Sequence, residues 1–223
     1  MSLVALSATY GAGGSQVGPA VAGLLGVEFV DRAITAAVAS ALDVPAAQAA
    51  CHDDRSATGW LERFLGSFRA GGAYAPAPMP DEGPFAEDFQ RATESALRER
   101  AATGSGVILG RAATICLRDD PRVLRVRLDG PRERRLRQAM ALSGIDRASA
   151  ERQMHQFDGA HAAYAMKFYR VKMSGPSHYH LVLDSTALAL DVCAELIARA
   201  ARSLAGEDGE GGRPAGGSVN MDG

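Results

Sequence analysis

The sequence predicts a single α/β domain in which helices cover a mostly parallel sheet. Short apolar segments alternate with helical segments of ten or more residues, a spacing typical of parallel strands joined by crossover helices. A glycine-rich stretch lies between the first apolar segment and the first helical one. The chain has 223 residues, of which 47% are hydrophobic and 22% charged, which is enough for one domain of this class with a good core.

The first two elements surround the glycine-rich stretch. Residues 3–6, LVAL, form a short apolar strand, and the sequence SATYGAGGSQVG follows at residues 7–18. The next apolar residues have the spacing of one helix face. They are Val17, Ala20, Val21, Leu24 and Leu25. The pattern therefore predicts a strand, a glycine loop and a helix in direct succession.

The remaining elements follow from hydrophobic periodicity and from glycine and proline positions. We expect strands at 106–110, 123–129 and 180–185, a turn or short strand at 27–32, and helices at 33–44, 87–104, 131–144, 146–169 and 189–204. Residues 66–86 are rich in Gly, Ala and Pro and should form a loop or flexible insertion. Residues 205–223 have almost nothing to bury and should be a disordered tail, so the domain covers 1–204.

Polar or glycine residues end several predicted strands. The glycine loop follows the first strand, Gly110-Arg111 follows another, and Asp184-Ser185 ends the last. Ligands of open α/β sheets bind at the carboxyl ends of the strands. The three segments are therefore expected to form one site.

The chemistry of the glycine loop suggests phosphate binding without the usual lysine. Glycines let backbone N–H groups turn towards an anion, and the following helix start favours negative charge. Gly14 stands where the lysine of a phosphate-binding loop belongs, and Ser15 stands where the magnesium-binding hydroxyl belongs. Two other interpretations stay open at this point: a simple turn, and a dinucleotide loop with Asp31 as ribose ligand, although GxGxxG would need glycine in place of Gln16.

Composition excludes several classes of partner. The formal net charge of −2 gives no general argument for nucleic acid or an anionic membrane. No apolar run reaches the length of a membrane span and no signal peptide is evident, so we expect a cytoplasmic protein. The three cysteines form no CxxC pair and are expected to be reduced.

Only Lys167 and Lys172 are lysines, so arginines and backbone N–H groups must supply most phosphate contacts.

Six segments, in order, carry a resemblance to a known family. They are YGAGGSQVG, FVDR, VILGRAA, DDPRVLRVRLDGPRERRLRQAM, the helix around FDGAHAAY, and LVLDS. Taken together the chain resembles the bacterial cytidylate kinase-like family, relatives of P-loop nucleoside monophosphate kinases whose opening motif lacks the lysine. The resemblance implies a three-layer fold with a helical insertion that binds the monophosphate and a lid at about residues 145–178. It also implies ATP and Mg2+ as cofactors and a small-molecule nucleotide as substrate.

The resemblance assigns roles to individual residues. The phosphates of ATP would be held by Gly11, Ala12, Gly13, Gly14 and Ser15. The metal-binding role of Ser15 follows instead from the general phosphate-loop pattern, in which the magnesium-binding hydroxyl stands at this position. Arg32 and Arg111 would hold the phosphate of the acceptor monophosphate, and Asp31 beside Arg32 would be either its structural partner or a contact to the acceptor nucleoside. The resemblance also places Arg134 against the donor nucleotide near the lid. In the phosphoryl-transfer hypothesis, Arg134 and Lys167 would stabilise the transferring phosphoryl group, and Asp158 would order the lid or a magnesium-bound water.

The chain departs from the family pattern at the donor site. Relatives carry an aspartate followed three residues later by arginine in the lid, whereas this chain has Asp158 and then His161. Relatives also place an arginine where Ser15 stands. Compensating charge could come from Arg134, Lys167, Arg170 of the lid, or Lys172.

Two functions from different classes follow from these observations. The first is ATP-dependent phosphoryl transfer to a nucleoside monophosphate, CMP or dCMP by resemblance. The second is a nucleotide-binding regulator that has lost turnover, which the missing charges favour. Eight arginines crowd residues 118–137, but no aromatic residues are interleaved with them, so we expect no nucleic acid partner.

Overall fold

The computed structural model describes residues 2–30, 84–110 and 113–206. These ranges contain five strands: β1 (Leu3–Ala8), β2 (Phe29–Val30), β3 (Gly106–Leu109), β4 (Val123–Asp129) and β5 (Leu181–Asp184). Their helices are α1 (Gly14–Leu25), α2 (Pro84–Ala102), α3 (Ala113–Cys116), α4 (Arg132–Ser143), α5 (Arg147–Tyr169) and α6 (Leu190–Leu204), and a single 3₁₀ turn covers Pro176–His178.

The strands form one parallel sheet with the order β2-β3-β1-β4-β5. Leu3 of β1 is in register with Gly106 on one side and Val123 on the other, so β1 occupies the centre. All five carboxyl ends therefore lie along one edge of the sheet. The predicted α/β class with a parallel, helix-covered sheet is confirmed.

The main core lies between the sheet and helices α1 and α6. Val4 and Leu6 of β1 are fully buried and belong to one cluster with Val17 of α1 and Ile197 of α6. Side chains alternate along a strand, so the buried Leu3 and Ala5 face the opposite side, where α3 contacts β1. Burial on both faces is typical of a central parallel strand.

A second cluster connects α4 and α5 to the glycine loop. Tyr10 of the loop packs with Leu136 of α4 and with Met154 and Phe157 of α5. The Tyr10 and Phe157 ring centroids are 6.1 Å apart, at an interplanar angle of 56°. The loop and α5 are therefore parts of one packed unit.

The bounds of β3, β4, β5, α4, α5 and α6 agree with the sequence prediction to within one residue, whereas α3 and the 3₁₀ turn were not predicted. β1 extends to Ala8, two residues beyond the predicted strand. α2 begins at Pro84, so residues 84–86 belong to a helix rather than to the predicted loop. Proline is favoured in the first turn of a helix because no carbonyl acceptor is available there for an N–H group.

The predicted helix at 33–44 and the tail beyond 206 lie outside the described residues. Within the described ranges no helix combines the length and apolarity needed to cross a bilayer.

Candidate functional site

The glycine loop adopts a conformation that two of its glycines make possible. Gly11 and Gly13 have φ angles of +75° and +72°, in the left-handed region that side chains disfavour. A Cβ at Gly11 would collide with the backbone carbonyl of Arg135. A Cβ at Gly13 would lie 2.7 Å from the Leu190 side chain. The loop therefore requires glycine both for its backbone turn and for the close approach of α4 and α6.

The start of α1 presents backbone N–H groups towards the carboxyl edge of the sheet. The N-cap residue Gly13 provides no capping side chain, and the first turn contains no acidic residue. The Gly14 and Ser15 N–H groups precede the helix's own carbonyl acceptors, whereas the Gln16 N–H already donates to the Gly13 carbonyl at 3.0 Å, and the helix dipole favours an anion at this end. Ser15 lies exposed in the same turn. The end of the glycine loop therefore has the features of a phosphate-binding site.

Gly14 stands at the expected lysine position, and its surroundings leave little room for a side chain. A Cβ at Gly14 would lie 2.6 Å from the Cβ of Ala8 and 3.3 Å from a Leu109 methyl carbon. The residue is the first of α1 and is buried against β1 and β3. The missing lysine is thus accompanied by closer packing of the helix start against the sheet.

Two neighbouring strands hold the loop from its other side. Ser185, fully buried directly after β5, donates a hydrogen bond from its hydroxyl to the Ala12 carbonyl at 2.8 Å. Thr9 donates from Oγ1 to the Asp129 carboxylate at the end of β4, at 2.9 Å. The carboxyl ends of β4 and β5 therefore fix the backbone of the loop.

Asp129 is the centre of a charged network at the end of β4. Its Oδ2 accepts hydrogen bonds from Arg127 Nε at 3.0 Å and Nη2 at 2.8 Å. Its Oδ1 accepts from Thr9 and from the Gly130 N–H. Burial raises the pKa of Asp129, but the hydrogen bonds from Arg127 and Gly130 outweigh burial and bring the pKa below its usual value. Arg127 also donates from Nη1 to the Met173 carbonyl at 2.9 Å, which connects β4 to the chain beyond α5.

A second ion pair connects α5 to the glycine loop. Arg135 of α4 lies with Nη1 2.8 Å from Asp158 Oδ2, and the same nitrogen donates to the Tyr10 carbonyl at 3.0 Å. Asp158 Oδ1 in turn accepts the Tyr10 N–H at 3.0 Å. Arg135 Nε donates to the Gly130 carbonyl at 3.0 Å. Asp158 is therefore held in place by the loop and by α4 together.

These elements line a cavity of about 330 Å³ that is open to solvent on one side. It is lined by residues at the ends of β1 and β4, by residues of α5, and by residues of the chain after α5. The lining includes Ala8, Arg127, Arg135, Asp158, His161 and Lys172. The structure thus brings together two of the residues predicted from the sequence, Asp158 and His161, with Lys172.

Arg134 lies on another face of α4, outside the cavity lining. Its Nη2 is 3.1 Å from Asp184 Oδ2, and both side chains are partly exposed. Hydrogen bonds from Thr186 lower the pKa of Asp184, and the nearby Arg134 charge acts in the same direction. Two residues singled out from the sequence, Asp184 at the end of β5 and Arg134 at the start of α4, are therefore in direct contact.

The other predicted residues are more dispersed. Lys167 is exposed on α5, with Nζ 5.5 Å from the Phe168 ring centroid, and is not part of the cavity lining. Arg170 ends α5 with a φ of +55°. Asp31, Arg32 and Arg111 lie outside the described residues.

Sequence reasoning missed Thr9, Arg127, Asp129 and Arg135. Asp129 ends β4 as Asp184 ends β5, so the criterion that selected the end of β5 would also have selected Asp129. Arg127 and Arg135 belong to the arginine-rich region between 118 and 137, where their roles could not be separated from those of exposed neighbours. Burial distinguishes them, since about a tenth of each side chain is exposed.

The described residues supply few protein ligands for a metal ion. Within 2–30, 84–110 and 113–206, no three His, Cys, Asp or Glu side chains are grouped closely enough to hold one. Mg2+ usually retains waters and binds through one or two protein groups together with substrate phosphates. The exposed hydroxyl of Ser15, beside the open helix start, fits such a shared site.

Comparisons with known proteins identify the same family that the six sequence segments resemble. Residues 3–187 match the family model described as the cytidylate kinase-like family. No curated protein matches the sequence. A crystal structure of an uncharacterized protein from Eubacterium ventriosum has a TM-score of 0.64 at 15% identity, covering 91% of this chain and 99% of that one. This likeness shows that the two proteins share a fold.

Two solved kinase structures were also matched. A gluconokinase from Sinorhizobium meliloti has a TM-score of 0.49 at 16% identity and covers 92% of this chain and 97% of its own. A shikimate kinase from Acinetobacter baumannii, in complex with shikimate, has a TM-score of 0.47 at 16% identity, with 91% and 94% covered.

Proposed function

The chain belongs to the cytidylate kinase-like family, and on that premise we propose that it transfers a phosphoryl group from ATP to a nucleoside monophosphate, CMP or dCMP. Membership in this family supports a phosphotransferase of the kinase type. The choice of ATP as donor and of a cytidine monophosphate as acceptor is our proposal.

One observation carries the proposal: the glycine loop and the start of α1 lie at the carboxyl edge of the sheet, and the residues that lead into the loop line a cavity with three basic and two acidic side chains. Gly13 supplies no cap, no acid stands in the first turn, and Gly11 and Gly13 turn the backbone as an anion requires. The donor phosphates would be held by Gly11, Ala12, Gly13, Gly14 and Ser15. Arg127, Arg135 and Lys172 line the adjoining cavity.

Phosphoryl transfer demands little covalent chemistry from the protein. Catalysis depends on aligning donor and acceptor and on neutralising charge on the transferring group. We assign Arg134 to the donor nucleotide, beside Asp184. The phosphate of the acceptor would be held by Arg32 and Arg111, because guanidinium groups bind phosphate bidentately, while Asp31 would pair with Arg32 or contact the acceptor nucleoside.

The region around α5 would act as the lid. Closing it over the nucleotides excludes water, whose attack is the competing reaction. Asp158 would order this lid, because its two oxygens bind the glycine loop and Arg135. His161 would contribute to the inner surface of the lid and Arg170 to its end. A cation of the lid would approach the transferring phosphoryl group, and Lys167 and Lys172 are the candidates for it.

Mg2+ fits the site through the Ser15 hydroxyl, with donor phosphates and water completing its shell. When bound, the ion neutralises phosphate charge and orients the phosphate oxygens. The chain's own contribution is the set of loop N–H groups that hold the phosphates in place.

The test is steady-state turnover with ATP, Mg2+ and each of CMP, dCMP, UMP and AMP. We expect turnover with CMP or dCMP, and a strong loss in Arg111→Ala. Arg199→Ala removes an exposed arginine of α6 and should retain wild-type turnover. ATP binding without turnover for any acceptor would instead support the regulator, and absence of both would show that the loop is only a turn.

A further inference from the structure

We propose that Lys172 takes over the work of the missing phosphate-loop lysine, with its ammonium group contacting the terminal phosphate of the donor nucleotide in the cavity beneath α5. The inference rests on the proposed function and specifies which cation serves its donor site. Nothing in the family match or in the solved structures assigns a role to Lys172.

The cavity is lined by the residues that lead into the glycine loop. Ser7 and Ala8 at the end of β1, and Thr9 directly after it, form one part of its wall. Lys172 lines the same cavity from the chain that follows α5, together with Val171 and Met173. A lysine from elsewhere in the chain therefore shares a cavity with the residues that directly precede the loop.

Charge pairing distinguishes Lys172 from the arginines of the cavity. Arg127 donates from Nε and Nη2 to the Asp129 carboxylate, and Arg135 forms an ion pair with Asp158. Among the described residues, Lys172 has no carboxylate partner within ion-pair distance. The terminal phosphate of a nucleotide would supply the anion that the protein does not, and an ammonium group beside it would neutralise charge during transfer.

The backbone around Lys172 is fixed although its side chain is exposed. Arg170 ends α5 in a left-handed conformation, and the Val171 N–H returns to the Ala165 carbonyl at 3.3 Å. The Lys172 carbonyl accepts the Gly175 N–H at 3.1 Å, and the adjacent Met173 carbonyl accepts from Arg127. A fixed backbone with a long, flexible side chain suits a group that must reach a ligand after it binds.

Lys167, the other lysine, is in a different environment. It stands in the last turn of α5, exposed, with its ammonium group over the Phe168 ring. There it interacts favourably with the carboxyl end of the helix dipole. The structure therefore favours Lys172 over Lys167 for the phosphate contact.

The experiment compares kcat and the ATP dissociation constant in four variants. Lys172→Met should lower kcat by about a hundredfold or more while changing the ATP dissociation constant less than about threefold, because the loop N–H groups still hold the phosphates. Lys172→Arg should retain more turnover than Lys172→Met. Lys167→Met should lose at least tenfold less kcat than Lys172→Met, and Arg199→Met controls for removal of one exposed positive charge.

A chemical probe separates this inference from the proposed function. In adenosine triphosphopyridoxal an aldehyde is attached to the terminal phosphate. A nearby lysine amine condenses with the aldehyde, water leaves, and added borohydride reduces the imine to a stable secondary amine. We expect peptide mapping to find the label on Lys172 and ATP to prevent it.

The outcomes are distinct. Label on Lys172 in a protein without turnover would uphold the contact and refute the proposed kinase activity. Turnover that survives Lys172→Met, or label confined to Lys167, would overturn the inference and leave the proposed function intact. A protein that neither turns over nor takes the ATP-protected label refutes both.

Discussion

Arg135 Nη1 lies 2.8 Å from Asp158 Oδ2, and this ion pair joins α4 to α5 at the glycine loop. The two groups also bind opposite sides of one loop residue, because Arg135 donates to the Tyr10 carbonyl and Asp158 accepts the Tyr10 N–H. Three segments that are distant in the sequence therefore meet at Tyr10. The arrangement makes the position of α5 depend on the loop that is proposed to bind nucleotide.

Asp158→Asn should loosen α5. The amide keeps the size of the side chain and an acceptor for the Tyr10 N–H, but it removes the charge that Arg135 faces. We expect the free energy of unfolding to fall by about 1–3 kcal/mol and amide hydrogen exchange in residues 153–169 to become faster. Hydrogen exchange read by mass spectrometry measures both the site and the size of the effect.

Glu151→Gln provides the matched control on the same helix. Its ion pair with Arg147, at 3.0 Å, is exposed, and pairs of this kind contribute about 0.2–1 kcal/mol. It should leave exchange in α5 near the wild-type rate. Equal exchange in the two variants would contradict the role of Asp158.

Asp129 should make stability depend on acid. Burial raises its pKa, yet hydrogen bonds from Arg127 and Gly130 lower it further, so the folded value lies below the unfolded one. A carboxyl of this kind adds stability above its unfolded pKa, and the contribution is lost as pH falls through the folded pKa. We expect Asp129→Asn to cost about 1–3 kcal/mol at pH 7. This cost should shrink as the pH falls below the unfolded pKa of about 3.9, because the stabilisation by the charged carboxylate is lost progressively from there through the lower folded pKa.

Urea unfolding of both proteins between pH 7 and pH 3 measures this difference. Asp119→Asn is the control, because the Asp119 side chain is 90% exposed. Its unfolding profile should run parallel to that of the wild type. A gap between Asp129→Asn and wild type that stays constant down to pH 3 would show that the charge of Asp129 is not what stabilises the fold.

Local sequence was sufficient to predict most of the fold. β4 was predicted with its observed bounds because apolar and charged residues alternate from Leu124 to Asp129 between turns. Gly144 marked the end of α4, where it caps the helix in a left-handed conformation. The start of α2 was missed because Pro84 closes a Gly- and Pro-rich stretch that has no periodicity of its own.

The site was less predictable, because its contacts span long distances in sequence. Asp158 and Tyr10 are separated by 148 residues, and Thr9 and Asp129 by 120. Spacing and composition identify an arginine-rich segment, but they do not show that Arg135 is buried while Arg134 remains partly exposed. That difference depends on how α4 packs against the loop.

Ser185→Ala should weaken the anchorage of the glycine loop. The Ser185 hydroxyl is fully buried and donates to the Ala12 carbonyl at 2.8 Å. Its removal leaves that carbonyl without the Ser185 hydroxyl, so we expect a loss of about 1–2 kcal/mol in the free energy of unfolding and weaker ATP binding. Thermal unfolding and calorimetric titration with ATP measure the two effects, and Ser203→Ala, at an exposed position of α6, should change neither.

Gly14→Ala should destabilise the protein, and Gly14→Lys should not increase turnover. The added Cβ at Gly14 would lie 2.6 Å from Ala8 Cβ, and overpacking of this kind costs about 1–3 kcal/mol. Gly23→Ala on the same helix meets nothing within 4 Å and should stabilise by about 0.5–1 kcal/mol. Urea unfolding of Gly14→Ala and Gly23→Ala measures these two effects. The double variant Gly14→Ala with Ala8→Gly tests the clash itself, because Ala8→Gly removes the Ala8 Cβ that the new Cβ would meet. Equal stabilisation by Gly14→Ala and Gly23→Ala would show that the helix start can accept a side chain, and the absence of lysine would then have no packing cause.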